Sequence, residues 1–266
     1  MKEWSLIIDP VPCAGSWNMA VDEHLFGSLG GGGETVVRFY RWARPTVSLG
    51  YSQSVDRAVD LEFCGNNGID VVRRMTGGKL VLHDREITYS VSSTDASVFS
   101  STLSSSYRLI SEALVRGLQR MGLPAALAGP APEAYRRGVM PCFSYPARDE
   151  IEINGRKVVG SAQKRVGSRF LQHGSIPLDA DPDREHRVAS VCRADPANVR
   201  IISLSEALGH PVTFEWAVRR LVDALAESFG VRLSPKLLSG KDVEEVRRIE
   251  RERYGNPEWT IARGRG

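Results

Sequence analysis

Residues 71–84 read VVRRMTGGKLVLHD, with two arginines at the end of a β-prone run and a Gly-Gly pair shortly after them. A turn at Gly77 and Gly78 would let a ligand approach bare backbone N–H groups. The guanidinium groups of Arg73 and Arg74 suit phosphate or carboxylate. Each feature alone is typical of an ordinary turn or a solvated strand end. Together they predict a site for an anionic ligand.

Two further side chains in this stretch extend the predicted site. Lys79 adds a third cation directly after the turn, and His83 lies on the next β-prone run. The spacing does not match the phosphate-binding motif GxxxxGK[ST], because Leu80 follows Lys79. The sequence also lacks the GxSxG and HExxH motifs. None of these three motifs therefore identifies the ligand.

Strand-like runs surround this stretch. They are rich in Val, Ile, Thr and Tyr and are separated by turn residues. They are VVRFYRW (36–42), TVSLGYSQ (46–53), IDVVRRM (69–75), LVLHD (80–84) and EITYSVSS (86–93). Apolar residues at three- to four-residue spacing predict helices over 17–26, with Ser16 as N-cap, and over 104–122.

The clearest local signal is EIEINGRKVVGS, residues 150–161. Two β-prone arms flank Asn154-Gly155, the preferred pair for a type I′ hairpin turn. A further strand, RFLQHGSIPL, follows at 169–178. From residue 203 the pattern becomes helical, and Ser203, Thr213 and Asp242 are the candidate caps. Strands first and helices last predict one α+β domain with a small helical C-terminal part.

Composition narrows the class of protein. The 266 residues include 35 Lys+Arg and 32 Asp+Glu, a net charge of +3, and 42% are hydrophobic. These values exclude intrinsic disorder and give no basic stripe for nucleic acid. Four cysteines without a CxxC pair favour a reducing compartment and no structural zinc. No early apolar run is long enough for a signal peptide or a membrane span, so we expect a cytoplasmic protein.

Arginine dominates the basic residues, with 29 Arg against 6 Lys. Genomic base composition explains such a bias, and so does recognition of anions by the guanidinium group. The sequence leaves both explanations open.

One cysteine stands in a context that suits a nucleophile. Cys142 lies in VMPCFSYP at the end of a long loop, and Arg136, Arg137 and Lys157 are candidates for cations near it. Nearby positive charge raises the thiolate fraction of a cysteine, and the thiolate is the nucleophile. Most cysteines, however, are small buried hydrophobes, which is the expectation for the other three.

A strand of small residues follows the hairpin turn. Lys157 begins the run KVVGSAQKR, and Gly160, Ser161 and Ala162 indicate close approach by a ligand or by backbone. An exposed turn lysine is the alternative for Lys157. His173, in LQHGS, is more often a packed core histidine than a catalyst.

These motifs together resemble the biotin/lipoate protein ligase superfamily, in its lipoate branch. The chain looks most like the octanoyl-carrier-protein:protein octanoyltransferases that have a cysteine in this loop. The resemblance covers nearly the whole chain. Its motifs are NMAVDE (18–23), RFYRWARPTVSLGYSQ (38–53), RRMTGGKLVLHDREITYSV (73–91), PCFSYPARDEIEINGRKVVGSAQKR (141–165), LQHGSIPL (171–178) and RYGNPEW (253–259).

The resemblance implies a fold and a set of site residues. The fold is a mixed, largely antiparallel sheet flanked by helices, similar to the core of class II aminoacyl-tRNA synthetases. Residues 1–205 would form the acyltransferase core, with a helical part at 206–266 packed on it. Cys142 would accept the acyl group and Lys157 would meet its carbonyl. The implied substrate-binding residues are Arg73, Arg74, Thr76, Gly77, Gly78, His83, Gly160, Ser161, Ala162 and His173.

The implied reaction is ping-pong acyl transfer. An octanoyl or lipoyl group would pass from acyl carrier protein to Cys142, and then to one lysine of a lipoyl domain of 2-oxoacid dehydrogenase complexes or of glycine-cleavage H protein. Neither a cofactor nor a metal is needed, and no nucleic acid or membrane is involved. The acidic partners of this family would dock on the arginine-rich surface.

Three alternatives remain open. They are an amidotransferase between lipoyl proteins, an ATP- and Mg-dependent lipoate ligase, and a non-catalytic acyl- or carrier-binding protein. Two departures disfavour the ligase. Lys79 replaces the third glycine that ligases usually show in the turn. Those ligases also often have an extra C-terminal domain, and only about one quarter of this chain follows the last family-like strand. Neither departure excludes the ligase.

Overall fold

The structure is a computed structural model that describes residues 1–99, 102–129, 150–189 and 201–262. Cys142, Arg136 and Arg137 lie outside the described residues. Within the described residues, no helix is long and apolar enough to cross a membrane.

Strands are numbered in chain order. They are β1 (Lys2–Ile8), β2 (Thr35–Tyr40), β3 (Thr46–Leu49), β4 (Asp70–Arg73), β5 (Val81–His83), β6 (Glu86–Ser93), β7 (Ala125–Leu127), β8 (Ile151–Ile153), β9 (Arg156–Val166), β10 (Arg169–Pro177) and β11 (Val231–Pro235).

Helices are numbered in the same way. They are α1 (Gly15–Ser28), α2 (Val55–Ala58), α3 (Leu61–Asn66), α4 (Leu103–Gln119), α5 (Pro182–Arg187), α6 (Leu204–Leu208), α7 (Phe214–Phe229) and α8 (Gly240–Ile249). Two π-helical segments follow, Glu250–Tyr254 and Glu258–Ala262.

The strands form a large sheet and a small one. The large sheet has the order β11-β1-β2-β6-β10-β9-β8-β7, and the small sheet has the order β4-β3-β5. Strands β11, β1 and β2 pair in parallel, and every other neighbouring pair of the large sheet is antiparallel. The prediction of a mixed, largely antiparallel sheet flanked by helices is therefore confirmed.

Helices pack on both faces of the large sheet. In β2, Val37 and Phe39 belong to one apolar cluster, while Val36 and Tyr40 belong to another. Because successive side chains of a strand point to opposite faces, these clusters lie on opposite sides of the sheet. Helices α4 and α7 supply the first cluster, and α1 and α8 supply the second. The sheet is thus covered on both faces.

Two of the predicted helix caps differ from those observed. Helix α1 begins at Gly15, and the Ser16 hydroxyl donates to Glu250 Oε1 at 2.6 Å, so it is no N-cap. The last helix is capped by Ser239, and Asp242 is its capping-box partner three residues later. The caps at Ser203 and Thr213 are confirmed.

The C-terminal part contributes a strand as well as helices. Strand β11 pairs in parallel with β1 at the edge of the large sheet, which the sequence analysis did not predict. It follows the Gly230 cap of α7, where the backbone is left-handed. The division into 1–205 and 206–266 stays a prediction, but residues from both parts share this sheet.

The predicted hairpin turn is confirmed. Asn154 has φ 52° and Gly155 has φ 77°, as a type I′ turn requires at both central residues. The turn joins β8 to β9, and the β8–β9 register has a bulge at Ile151/Glu152.

We expect Gly155→Ala to destabilise the fold by about 1–2 kcal/mol, because a left-handed conformation brings Cβ too close to a carbonyl oxygen. Urea unfolding measures this change. Gly27→Ala is the matched control, because Gly27 lies in α1 and an added methyl group would meet no atom within 4 Å beyond its chain neighbours and the backbone of its own helix. It should be neutral or stabilising. Equal destabilisation by both substitutions would contradict the turn argument.

Candidate functional site

A cavity of about 220 Å³ lies where β9 and β10 meet the Gly-Gly turn and β5. Eight of the predicted site residues line it. They are Arg74, Gly78, His83, Lys157, Gly160, Ser161, Ala162 and His173. Four predicted residues remain. Arg73, Thr76 and Gly77 lie outside this lining, and Cys142 lies outside the described residues.

Lys157 places an ammonium group at the cavity wall. Its Nζ donates to Glu150 Oε1 at 2.7 Å, and the two side chains are 19% and 12% exposed. A Cβ on Gly160 would lie 3.1 Å from Lys157 Cε and 3.3 Å from its Nζ. The absence of a side chain at Gly160 therefore leaves room for the lysine to fold back along β9.

The Gly-Gly turn packs against another glycine. A Cβ on Gly50 would lie only 2.0 Å from the carbonyl oxygen of Gly78, so no side chain fits there. Gly78 itself has φ 92°, a conformation that favours glycine. These two glycines explain how the turn can close over the end of β3.

Arg74 holds the turn from inside. Its guanidinium donates to the Ser48 carbonyl and hydroxyl at 2.8 and 3.0 Å, and to the carbonyls of Gly77 and Lys79 at 2.8 and 2.7 Å. Burial lowers the pKa of Arg74 to about 10, which still leaves it charged at neutral pH. It borders the cavity and shapes it through these backbone bonds.

Arg73 was expected to bind the ligand, but the structure places it elsewhere. It is 0% exposed, and its guanidinium donates to the carbonyls of Gly50, Tyr51, Gln53 and Thr260 at 2.7–3.2 Å. A buried guanidinium needs such acceptors in place of water. The structure thus assigns Arg73 to joining backbone segments, and it does not line the cavity.

Thr76 anchors the turn to β10. Its hydroxyl lies 2.7 Å from His173 Nε2, and His173 Nδ1 lies 3.0 Å from Asp22 Oδ2. Burial lowers the pKa of His173 despite the hydrogen bond to Asp22, so the ring is neutral at pH 7. The carboxylate can only accept, so Nδ1 carries the proton and Nε2 accepts from Thr76.

Asp22 remains ionised although it is buried. Burial opposes its charge, but the hydrogen bond from His173 and the positive charge of Arg38 outweigh that effect and lower the pKa of Asp22. Tyr40 also donates to it, at 2.9 Å.

A second polar network supports His83. Its Nε2 lies 2.8 Å from the Ser48 hydroxyl, and its Nδ1 lies 2.8 Å from Glu86 Oε1. The imidazole stacks on Trp42, with 4.1 Å between ring centroids. Trp42 Nε1 donates to Thr88 Oγ1 at 2.7 Å. These contacts hold the ring of His83 in one orientation at the cavity wall.

Small residues of β9 and β10 form another part of the cavity wall. A Cβ on Gly174 would lie 2.6 Å from both Ser161 Oγ and Tyr89 Cε1. The Tyr89 hydroxyl and Ser161 Oγ are 2.7 Å apart. Burial raises the pKa of Tyr89 to about 12, so the phenol is neutral. The close approach expected from Gly160, Ser161 and Ala162 thus includes backbone as well as the cavity.

Much of the cavity lining was not predicted from the sequence. Apart from Lys79, already noted as a third cation, the other lining residues are Met19, Tyr40, Trp42, Ser48, Leu80, Val81, Thr88, Glu150, Gly174 and Ser175. All ten lie in the motifs that carried the resemblance, which is the signal that could have found them. The described residues contain no cluster of three or more His, Cys, Asp or Glu that could hold a metal ion.

A profile of the lipoyl protein ligase A/B catalytic domain matches residues 15–226. This chain belongs to that family. An octanoyltransferase LipM of Kyrpidia tusciae is 37% identical over 97% of this chain and 98% of its own length. One from Carboxydothermus hydrogenoformans is 36% identical, with the same shares covered.

The fold also has close structural counterparts. A bi-partite lipoate protein ligase of Thermoplasma acidophilum, solved in a study that includes its E2 lipoyl domain, superimposes with a TM-score of 0.83. The match covers 100% of this chain and 99% of that one, at 23% identity. The expected family, fold and acyltransferase class of enzyme are therefore confirmed.

The buried His173 makes the stability of the folded chain depend on pH. Its ordinary pKa is 6.5, and the folded value is lower. Between those values the unfolded chain binds a proton that the folded chain does not, so stability falls as the pH decreases below 6.5. One proton gives a slope of at most about 1.4 kcal/mol per pH unit.

We expect His173→Asn to reduce this slope, measured by urea unfolding between pH 5 and 7. The slope of stability against pH is compared between the variant and the wild type. The stability at one pH is not used, since the substitution also removes two buried hydrogen bonds. An unchanged slope in the variant would show that His173 does not titrate as argued.

Proposed function

We propose that the chain is an octanoyltransferase of protein lipoylation. It would move an octanoyl or lipoyl group from acyl carrier protein to a lysine of a lipoyl domain or of glycine-cleavage H protein. The observation that carries the proposal is the Lys157 ammonium at the wall of a cavity with apolar lining. The nearly full-length relatives named octanoyltransferase support it.

The apolar lining suits the acyl chain. Met19, Trp42, Leu80 and Val81 offer side chains that contact methylene groups favourably. Burial of each CH₂ contributes about 0.8 kcal/mol. The chain length of octanoyl thus supplies affinity without any charged group on the substrate.

The first half-reaction is acylation of Cys142. The thiolate attacks the thioester carbonyl, a new C–S bond forms, and the carrier's C–S bond breaks. The carrier thiolate leaves and takes up a proton. The Lys157 ammonium donates to the oxyanion that develops on the carbonyl oxygen and stabilises the cysteine thiolate.

The second half-reaction forms the amide. The amine of the acceptor lysine attacks the acyl-enzyme, a C–N bond forms, and the Cys142 thiolate leaves. A neutral amine is required, so the acceptor ammonium loses its proton first, and a second proton leaves the nitrogen on amide formation. The thiolate takes up one of these and the other passes to water. The amide is more stable than the thioester, so the reaction needs no ATP.

The free thiol of Cys142 requires a reducing compartment. The proposed location of the protein is therefore the cytoplasm.

Incubation with octanoyl-acyl carrier protein, without ATP, should produce an octanoyl adduct on Cys142 that hydroxylamine removes. Mass spectrometry detects it. Cys142→Ala should abolish the adduct, while Cys13→Ala is the control and should retain it. No adduct, together with full ATP- and lipoate-dependent activity of Cys142→Ala, would contradict the transferase. A second incubation, with octanoyl-H protein as the sole octanoyl donor, distinguishes the transferase from the amidotransferase.

Lys157→Met should slow acylation by about 10²–10³, the loss typical of one oxyanion-hole donor. Single-turnover mass spectrometry measures the rate. Lys164→Met is the matched control, because Lys164 lies on the same strand outside the described lining of the cavity. An unchanged acylation rate in Lys157→Met would remove this residue from the reaction.

A further inference from the structure

Glu150 forms an ion pair with Lys157 that the sequence analysis did not anticipate. The two charged atoms are 2.7 Å apart, and both residues line the cavity. Both side chains are more than four-fifths buried. Such a pair is weakly screened by solvent, so each partner strongly constrains the other.

The backbones that carry the two side chains are both fixed. The Glu150 carbonyl accepts from Ala128 N at 2.7 Å, just before β8. The Lys157 carbonyl accepts from Ile202 N at 2.9 Å. The β8–β9 hairpin connects them, so the distance between the two side chains is set by the fold.

The lysine ammonium has three N–H donors. Glu150 takes one of them. With the side chain also constrained over Gly160, this bond sets the direction of the other two donors. An unconstrained lysine has several rotamers, and most of them would not direct a donor at one carbonyl oxygen.

A second carboxyl group lies in an adjoining cavity of about 50 Å³. Glu185 lines that cavity together with Lys157. Burial and nearby carboxylates raise the pKa of Glu185 to about 7, so it is only partly charged at neutral pH. The carboxylate that accepts a direct hydrogen bond from Lys157 is that of Glu150.

We propose that Glu150 is a positioning residue that holds the Lys157 ammonium in the orientation needed to stabilise the oxyanion. The inference rests on the proposed function. It predicts that Glu150 acts on acyl transfer through Lys157 alone, without contacting the acyl chain.

The test is a double-mutant cycle on the single-turnover rate of Cys142 acylation. Glu150→Gln keeps the size of the side chain and removes its charge, and should slow acylation about tenfold, as expected when a charge-assisted hydrogen bond is weakened. The KM for octanoyl-acyl carrier protein should stay within about twofold. In a Lys157→Met background, Glu150→Gln should have no further effect.

Glu152→Gln is the matched control. It makes the same change in β8, outside the described lining of the cavity, and should leave acylation unchanged. Equal losses from Glu150→Gln with and without Lys157, or a wild-type rate in Glu150→Gln, would overturn the positioning role. If Lys157→Met and Cys142→Ala also acylate normally, the proposed function itself fails. If they do not, only the role of Glu150 fails.

Discussion

The buried carboxylate of Asp22 is the constraint on which the site depends. It accepts from Arg38 and Tyr40 on β2, from Ser90 on β6 and from His173 on β10, all at 2.9–3.0 Å. A charge removed from water must be compensated in full, and loss of one partner of a buried pair is costly. These bonds therefore fix α1 relative to three central strands of the large sheet.

The same constraint reaches the Gly-Gly turn. Asp22 determines which nitrogen of His173 is protonated, and the other nitrogen then accepts from Thr76. Arg74 fixes the following residues through their carbonyls. The turn is thus held by polar groups on its inner side, and its glycines allow the close packing. In the proposed reaction, the apolar lining and Lys157 then meet the acyl group.

Arg73 and Arg74 show that arginine can join backbone segments as well as bind anions. Both were predicted to bind an anion, and both donate to backbone carbonyls. Arg74 also lines the cavity, whereas Arg73 does not. The planar, five-donor guanidinium can satisfy several acceptors at once, which suits it to joining loops. Arg73 also reaches Thr260, so the C-terminal segment contributes to the end of β4. A solvated anion site and a buried junction look alike in the sequence.

The sequence by itself determined the class of fold, the 154–155 turn and eight of the residues that line the cavity, because turn chemistry, strand composition and close-packing glycines are local properties. Tertiary structure decided the rest. Strand β11 is defined by its partner β1, and Glu150 acquires its place only when the hairpin brings it to Lys157. Hydrogen-bond partners distant in the chain separate a ligand-binding arginine from a structural one, because only the fold determines which acceptors replace water.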